Sequence, residues 1–178
     1  MISLLLPMLA VAMPIQDAPA DPLAPAREGK IRCIAPDMAL KTCQSMVRYT
    51  VRGTDGFDAV VTGIVERDPV VLLRYSTFGR ADAAGVCSMV RLRDFETGAL
   101  MRGGKQLSRA DEQVVRLRLL NAVQPLAGKK RGYLDRPGEA GKREMTAVVT
   151  IDGVVRPEFQ QTAIWVSPEE DFQLGGGR

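Results

Sequence analysis

Four runs between residues 44 and 94 alternate apolar and polar side chains, and this alternation constrains the fold more than any other feature of the chain. Residues 45–52 place Val47, Tyr49 and Val51 on one face and Arg48, Thr50 and Arg52 on the other, the period-two pattern of a half-buried strand. Thr54-Asp55-Gly56 follows; an Asp-Gly pair tolerates positive φ and marks a hairpin leading into residues 57–66. Asp68-Pro69 breaks the chain before a third run at 70–78, and a loop at 79–85 leads to a fourth at 86–93, with Val86, Val90 and Leu92 on one side. Four runs with short connections predict an antiparallel meander.

The period then changes. Ser108 with Asp111 three residues later gives a helix start, and Val115, Leu119, Ala122, Val123 and Leu126 recur at helical spacing. Arg109, Glu112, Gln113 and Arg116 fall largely on the other side, and Pro125 with Gly128 ends the helix. A loop rich in Lys, Arg, Pro and Gly is expected over 129–142. Residues 144–151 and 154–166 alternate around Asp152-Gly153, a second hairpin signal, and Pro157 delays the last strand or puts it on an edge. The expected fold class is α+β: an antiparallel sheet of about six strands, built from a four-stranded meander and a C-terminal hairpin, with one long helix packed on one face.

The N-terminus bears on compartment. Residues 2–13 are almost purely apolar, too short for the roughly 20 residues a spanning helix needs, and Ala10-Val11-Ala12 and Ala18-Pro19-Ala20 offer small-x-small cleavage sites. This reads as a signal peptide over 1–12, or up to 20, followed by a flexible Pro/Ala-rich segment over 13–29, a single globular domain over 30–172 and a flexible tail over 173–178. No Lys or Arg precedes the apolar run, which leaves open a start elsewhere, upstream or at Met8 or Met13. The expected location is the periplasm or the secreted fraction, with no transmembrane segment in the mature chain. There, three cysteines favour one disulfide and one leftover thiol. Three pairings are possible; Cys33 with Cys43 is preferred on proximity alone over Cys43 with Cys87.

For chemistry, the chain holds no histidine, so no Ser-His or Cys-His dyad and no His-ligated zinc site can form. It has no Cys-x-x-Cys pair, phosphate loop or dinucleotide-binding turn. Asp55, Asp58, Glu66, Asp68, Asp94 and Glu96 are available carboxylates, but their spacing shows no convergence, and turns and solvent-facing strand positions account for them. No catalytic residue, metal site or cofactor is expected. Trp165 and the scattered methionines read as core or sheet filling.

Charge is concentrated instead. The whole chain carries +3, yet residues 102–143 contain eleven Lys and Arg against four acids. Arg109, Arg116, Lys129, Lys130 and Arg131 are the candidate binding residues. An anionic lipid or polymer, or an acidic surface on an envelope protein, would suit them. Nucleic acid would not, because Tyr133 is the only aromatic in the segment. The expectation is a small exported, non-enzymatic binding domain. Two alternatives stand beside it: a periplasmic enzyme using carboxylates or a free thiol at Cys87, and a structural subunit that pairs through an exposed strand edge.

Overall fold

The alternating runs do form strands, but the sheet continues past the meander until it meets itself. The computed structural model describes residues 21–138 and 142–175. In chain order these form α1 (Ala24–Arg27), β1 (Ile31–Asp37), β2 (Thr42–Arg52), β3 (Gly56–Arg67), β4 (Val70–Asp82), β5 (Gly85–Met89) and α2 (Leu92–Thr97). The order continues with β6 (Ala99–Arg102), β7 (Lys105–Gln106), α3 (Arg109–Val123), β8 (Lys130–Pro137), β9 (Met145–Ile151), β10 (Val154–Val155), β11 (Gln161–Val166) and β12 (Gln173–Leu174). Pairing runs β1-β2-β3-β4-β5-β8-β9-β11 and returns to β1, every step antiparallel, which closes an eight-stranded barrel. The short β6, β7, β10 and β12 extend its rim.

The expected α+β fold is therefore corrected. Among the described residues twelve strands share the sheet, 52% of those residues are strand and only one helix is long. Two strands that the sequence pattern did not announce make the difference. β1 follows directly on the segment expected to be loose, and β8 lies inside the residues expected to be a basic loop. Both carry charged or aromatic side chains at inward positions, so neither shows apolar residues at every second place. Closure also removes the open sheet edges that an unclosed meander would expose to other chains.

Register assigns the inward face. Arg32 lies opposite Val47, Val47 opposite Val61, Val61 opposite Tyr75, and Tyr133 opposite both Val86 and Val149. Side chains paired in this way point to the same side of a sheet. Outward positions on β2, β3 and β4 include Arg48, Thr50, Arg52, Asp58, Arg74, Ser76 and Arg80, a polar exterior unlike the apolar band of a membrane barrel. Among the described residues, no helix is long and apolar enough to cross a membrane.

Helices cover the two mouths. Leu23, fully buried, and Ala26 of α1 pack on the inward residues Val47, Phe57, Ala59 and Val86. Arg27 holds α1 in place, donating to the Thr54 and Gly53 carbonyls of the β2–β3 hairpin at 2.7 and 3.2 Å. Residues 21–29, part of the segment expected to be flexible, hold α1; the proposed signal peptide, residues 13–20 and residues 176–178 lie outside the described residues. At the other mouth, which β5 runs into, α2 places Phe95 against Tyr75 with ring centroids 4.8 Å apart. α3 starts as the sequence indicates, Ser108 Oγ accepting from the Asp111 amide at 3.2 Å. It buries Val115 with Val71, Leu73, Leu100 and Leu107.

A second apolar cluster lies around the Cys33–Cys43 disulfide, whose Cα atoms are 5.5 Å apart. Ile31, Ile164 and Val166 surround it, with Met46 and Phe172 packed alongside. The residues after β11 run back along β2, where Gln173 and Leu174 pair in parallel with Thr42 and Cys43. Of the cysteines, Cys87 is free, half-buried on β5 opposite Gly132.

Candidate functional site

An eight-stranded barrel is just wide enough either to be filled by its own side chains or to hold one small ligand. Here filling is incomplete. A cavity of about 210 Å³ remains, bounded by Val47, Tyr49, Phe57, Ala59 and Val61 on one side, by Tyr75 and Phe95 towards α2, and by Arg32, Arg131 and Tyr133 across the interior. Ser45, Thr77, Ser88, Asp94 and Gln161 add polar groups to its wall. All three tyrosines of the chain face it.

The polar side of the cavity is built around the Tyr133 ring. The Arg32 guanidinium lies 5.0 Å from its centroid and that of Arg131 lies 4.9 Å away, both within cation–π range. The two arginines differ in everything else. Arg32 is 1% exposed and forms a two-point ion pair with Asp135, its Nε donating to Oδ2 at 3.1 Å and its Nη2 to Oδ1. Burial alone would favour the neutral guanidine, but the neighbouring Tyr49 and Asp135 hold Arg32 charged, above the ordinary arginine range. Arg131 Nε, by contrast, is buried with no hydrogen-bond partner.

Tyr49 and Tyr75 are set to act as neutral hydrogen-bonding groups. Burial pushes the Tyr49 hydroxyl above the usual phenol range, with Arg32 opposing the shift. Burial raises Tyr75 in the same way, reinforced by Tyr133 and opposed by Arg131. Tyr49 is further fixed by an edge-on contact with Phe57 at 5.1 Å and a tilted one with Trp165 at 5.8 Å. Near α2, Asp94 is occupied by Arg91, whose Nε and Nη2 donate to it at 3.0 and 2.9 Å.

The candidate residues read from the basic segment do not come together. Arg109 is exposed at the start of α3. Arg116 acts within the fold, donating to the Phe95 and Gly98 carbonyls at 2.6 and 2.9 Å and pairing with Glu112, which ties α3 to α2. Lys129 and Lys130 lie where the chain enters β8, and Arg131, one residue on, turns into the barrel. Arg102 faces Asp111, Arg118 pairs with Glu66 at 2.7 Å, and Arg143 pairs with Glu170 at 2.7 Å. The charge excess is thus spread over several elements and partly neutralised by acids outside the segment.

Arg32, Asp135 and the inward tyrosines were missed as site residues. Alternation within 131–135 was the available signal, Arg131, Tyr133 and Asp135 at every second position, but it places polar groups where a buried face is expected to be apolar. Among the described residues, no group of three or more His, Cys, Asp or Glu side chains could hold a metal ion. Comparison with family models, with characterised proteins and with solved structures returns no match for this chain.

Proposed function

We propose that this protein is an exported, non-enzymatic binding domain that encloses a small molecule inside its barrel. One observation carries the reading: the interior holds a cavity of about 210 Å³ with an apolar, aromatic wall on one side and a few fixed polar groups on the other. Ligand pockets combine these two kinds of surface, the apolar part supplying affinity and the polar part orientation. The export part rests on the apolar N-terminal run, and the Cys33–Cys43 bridge is of the kind that persists in oxidising compartments. The polar exterior of the barrel fits a protein working in water.

The test is an NMR titration of the folded protein with ring-sized neutral molecules such as toluene and indole. Shifts concentrated at inward residues, Tyr49, Ala59, Val61 and Tyr75, support enclosure. Shifts confined to outward residues, or none at millimolar ligand, overturn it. For export, the intact mass of protein recovered from fractionated native cells should lack residues 1–12 or 1–20 and be lower by the two hydrogens of one disulfide. A full-length reduced chain in the cytosol overturns that part.

A further inference from the structure

We infer that the enclosed ligand is a compact organic monocarboxylate whose carboxylate is held by the Arg131 guanidinium. This rests on the enclosed-binding reading above and adds the ligand's class. Buried polar side chains are nearly always hydrogen-bonded, and a buried guanidinium N–H without an acceptor is costly. Arg131 Nε is such a group, and among the described residues Arg131 forms no ion pair. Its guanidinium lines the cavity, 4.9 Å from the Tyr133 ring centroid, and a guanidinium is the group whose planar fork matches a carboxylate.

Charge fixes the valence. Arg32 takes up Asp135 and Arg91 takes up Asp94, so Arg131 brings a single uncompensated positive charge to the cavity, complementary to one negative charge. A dianion would leave a second charge buried without a partner. The opposite wall, Val47, Phe57, Ala59 and Val61, asks for an apolar body. Size follows from volume: a cavity of about 150 Å³ accommodates benzene, so one of about 210 Å³ has room for a ring, or a short alkyl chain, plus a carboxylate.

The experiment titrates the full chain with benzoate and with its neutral isostere benzamide, followed by NMR, on wild type and on Arg131→Met. Benzoate is expected to shift inward residues and to bind on the order of tenfold to a hundredfold tighter than benzamide, with the preference lost in Arg131→Met. Equal affinities at the inward residues overturn the carboxylate assignment while leaving enclosure intact. Absence of inward shifts with either compound overturns both. A benzoate preference that survives in Arg131→Met overturns the role of Arg131, as does displacement of benzoate by equimolar inorganic phosphate. Arg131→Gln, which keeps a polar but uncharged side chain, repeats the comparison should the methionine variant lose its fold.

Discussion

Two guanidinium groups lie within 5.0 Å of the Tyr133 ring centroid in opposite conditions. The Arg32 guanidinium is sealed from solvent and closed off by Asp135; Arg131 is only half-buried and its Nε–H has no partner. The contrast separates two uses of a cation in the barrel wall. A guanidinium held by its counter-ion organises the fold around it, and one that lines the cavity without a counter-ion is available to a charge that enters. Sequence position alone does not distinguish them, since both sit on barrel strands beside the same ring.

The comparison can be broken most forcefully from the sealed side. Asp135→Ala strands a buried cation, and loss of one partner of a buried pair costs about 3–5 kcal/mol; a large fall in the denaturant midpoint is the expected reading. Replacing both members, Arg32→Met with Asp135→Leu, should recover most of that loss. A double variant no more stable than Asp135→Ala would show that the pair is irreplaceable for shape as well as charge. Next in size is the disulfide on the strand that carries Arg32. Joining residues ten apart is worth about 3 kcal/mol in the chain-entropy account, so Cys33→Ser with Cys43→Ser should lower stability by that order in urea.

On the open side the effect should be small. Arg131→Met removes an unsatisfied donor along with its cation–π contact, and unfolding is expected within about 1 kcal/mol of wild type. A loss of several kcal/mol would place Arg131 with Arg32 as a structural group. The smallest effect concerns an exposed pair. Hydrogen bonds from Arg143, then from the Ser167 amide, hold the Glu170 carboxyl at about 2, below its ordinary value. A depressed folded-state value stabilises above the unfolded pKa, near 4.3, and that contribution fades as pH falls towards 2. Glu170→Gln should therefore melt lower than wild type at neutral pH by the equivalent of about 1 kcal/mol or less, the gap closing near pH 2.

How far the sequence was legible follows the polarity of the inward face. β2, β3 and β4 bury mostly apolar side chains, and their alternation and the Asp55-Gly56 turn are plain in the chain. The same holds for the Asp152-Gly153 turn after β9, the Ser108 cap of α3 and the short Cys33–Cys43 loop. β8 inverts the rule: Arg131, Tyr133 and Asp135 point in while Leu134 points out, so an apolar-periodicity reading finds only a basic loop. β1 is obscured likewise by Arg32 and by Pro36 near its end. The elements that complete the barrel and the residues that line its polar side are thus the same, and missing one meant missing the other. The basic stretch, conspicuous in composition, is divided between the surface, the α2–α3 junction and the interior once the chain folds.

The first barrel strand, β1, is held between β2 and the last, β11: Ile31 faces Val166 and Ile34 faces Ala163. That seam cannot form until nearly the whole chain is present, and contacts so distant in sequence make folding slow. A growing chain that ends before residue 161 has β1 unpaired on one side and no enclosed interior. The cavity is therefore a late product of synthesis, and any molecule the barrel holds enters only after the C-terminal strand has arrived.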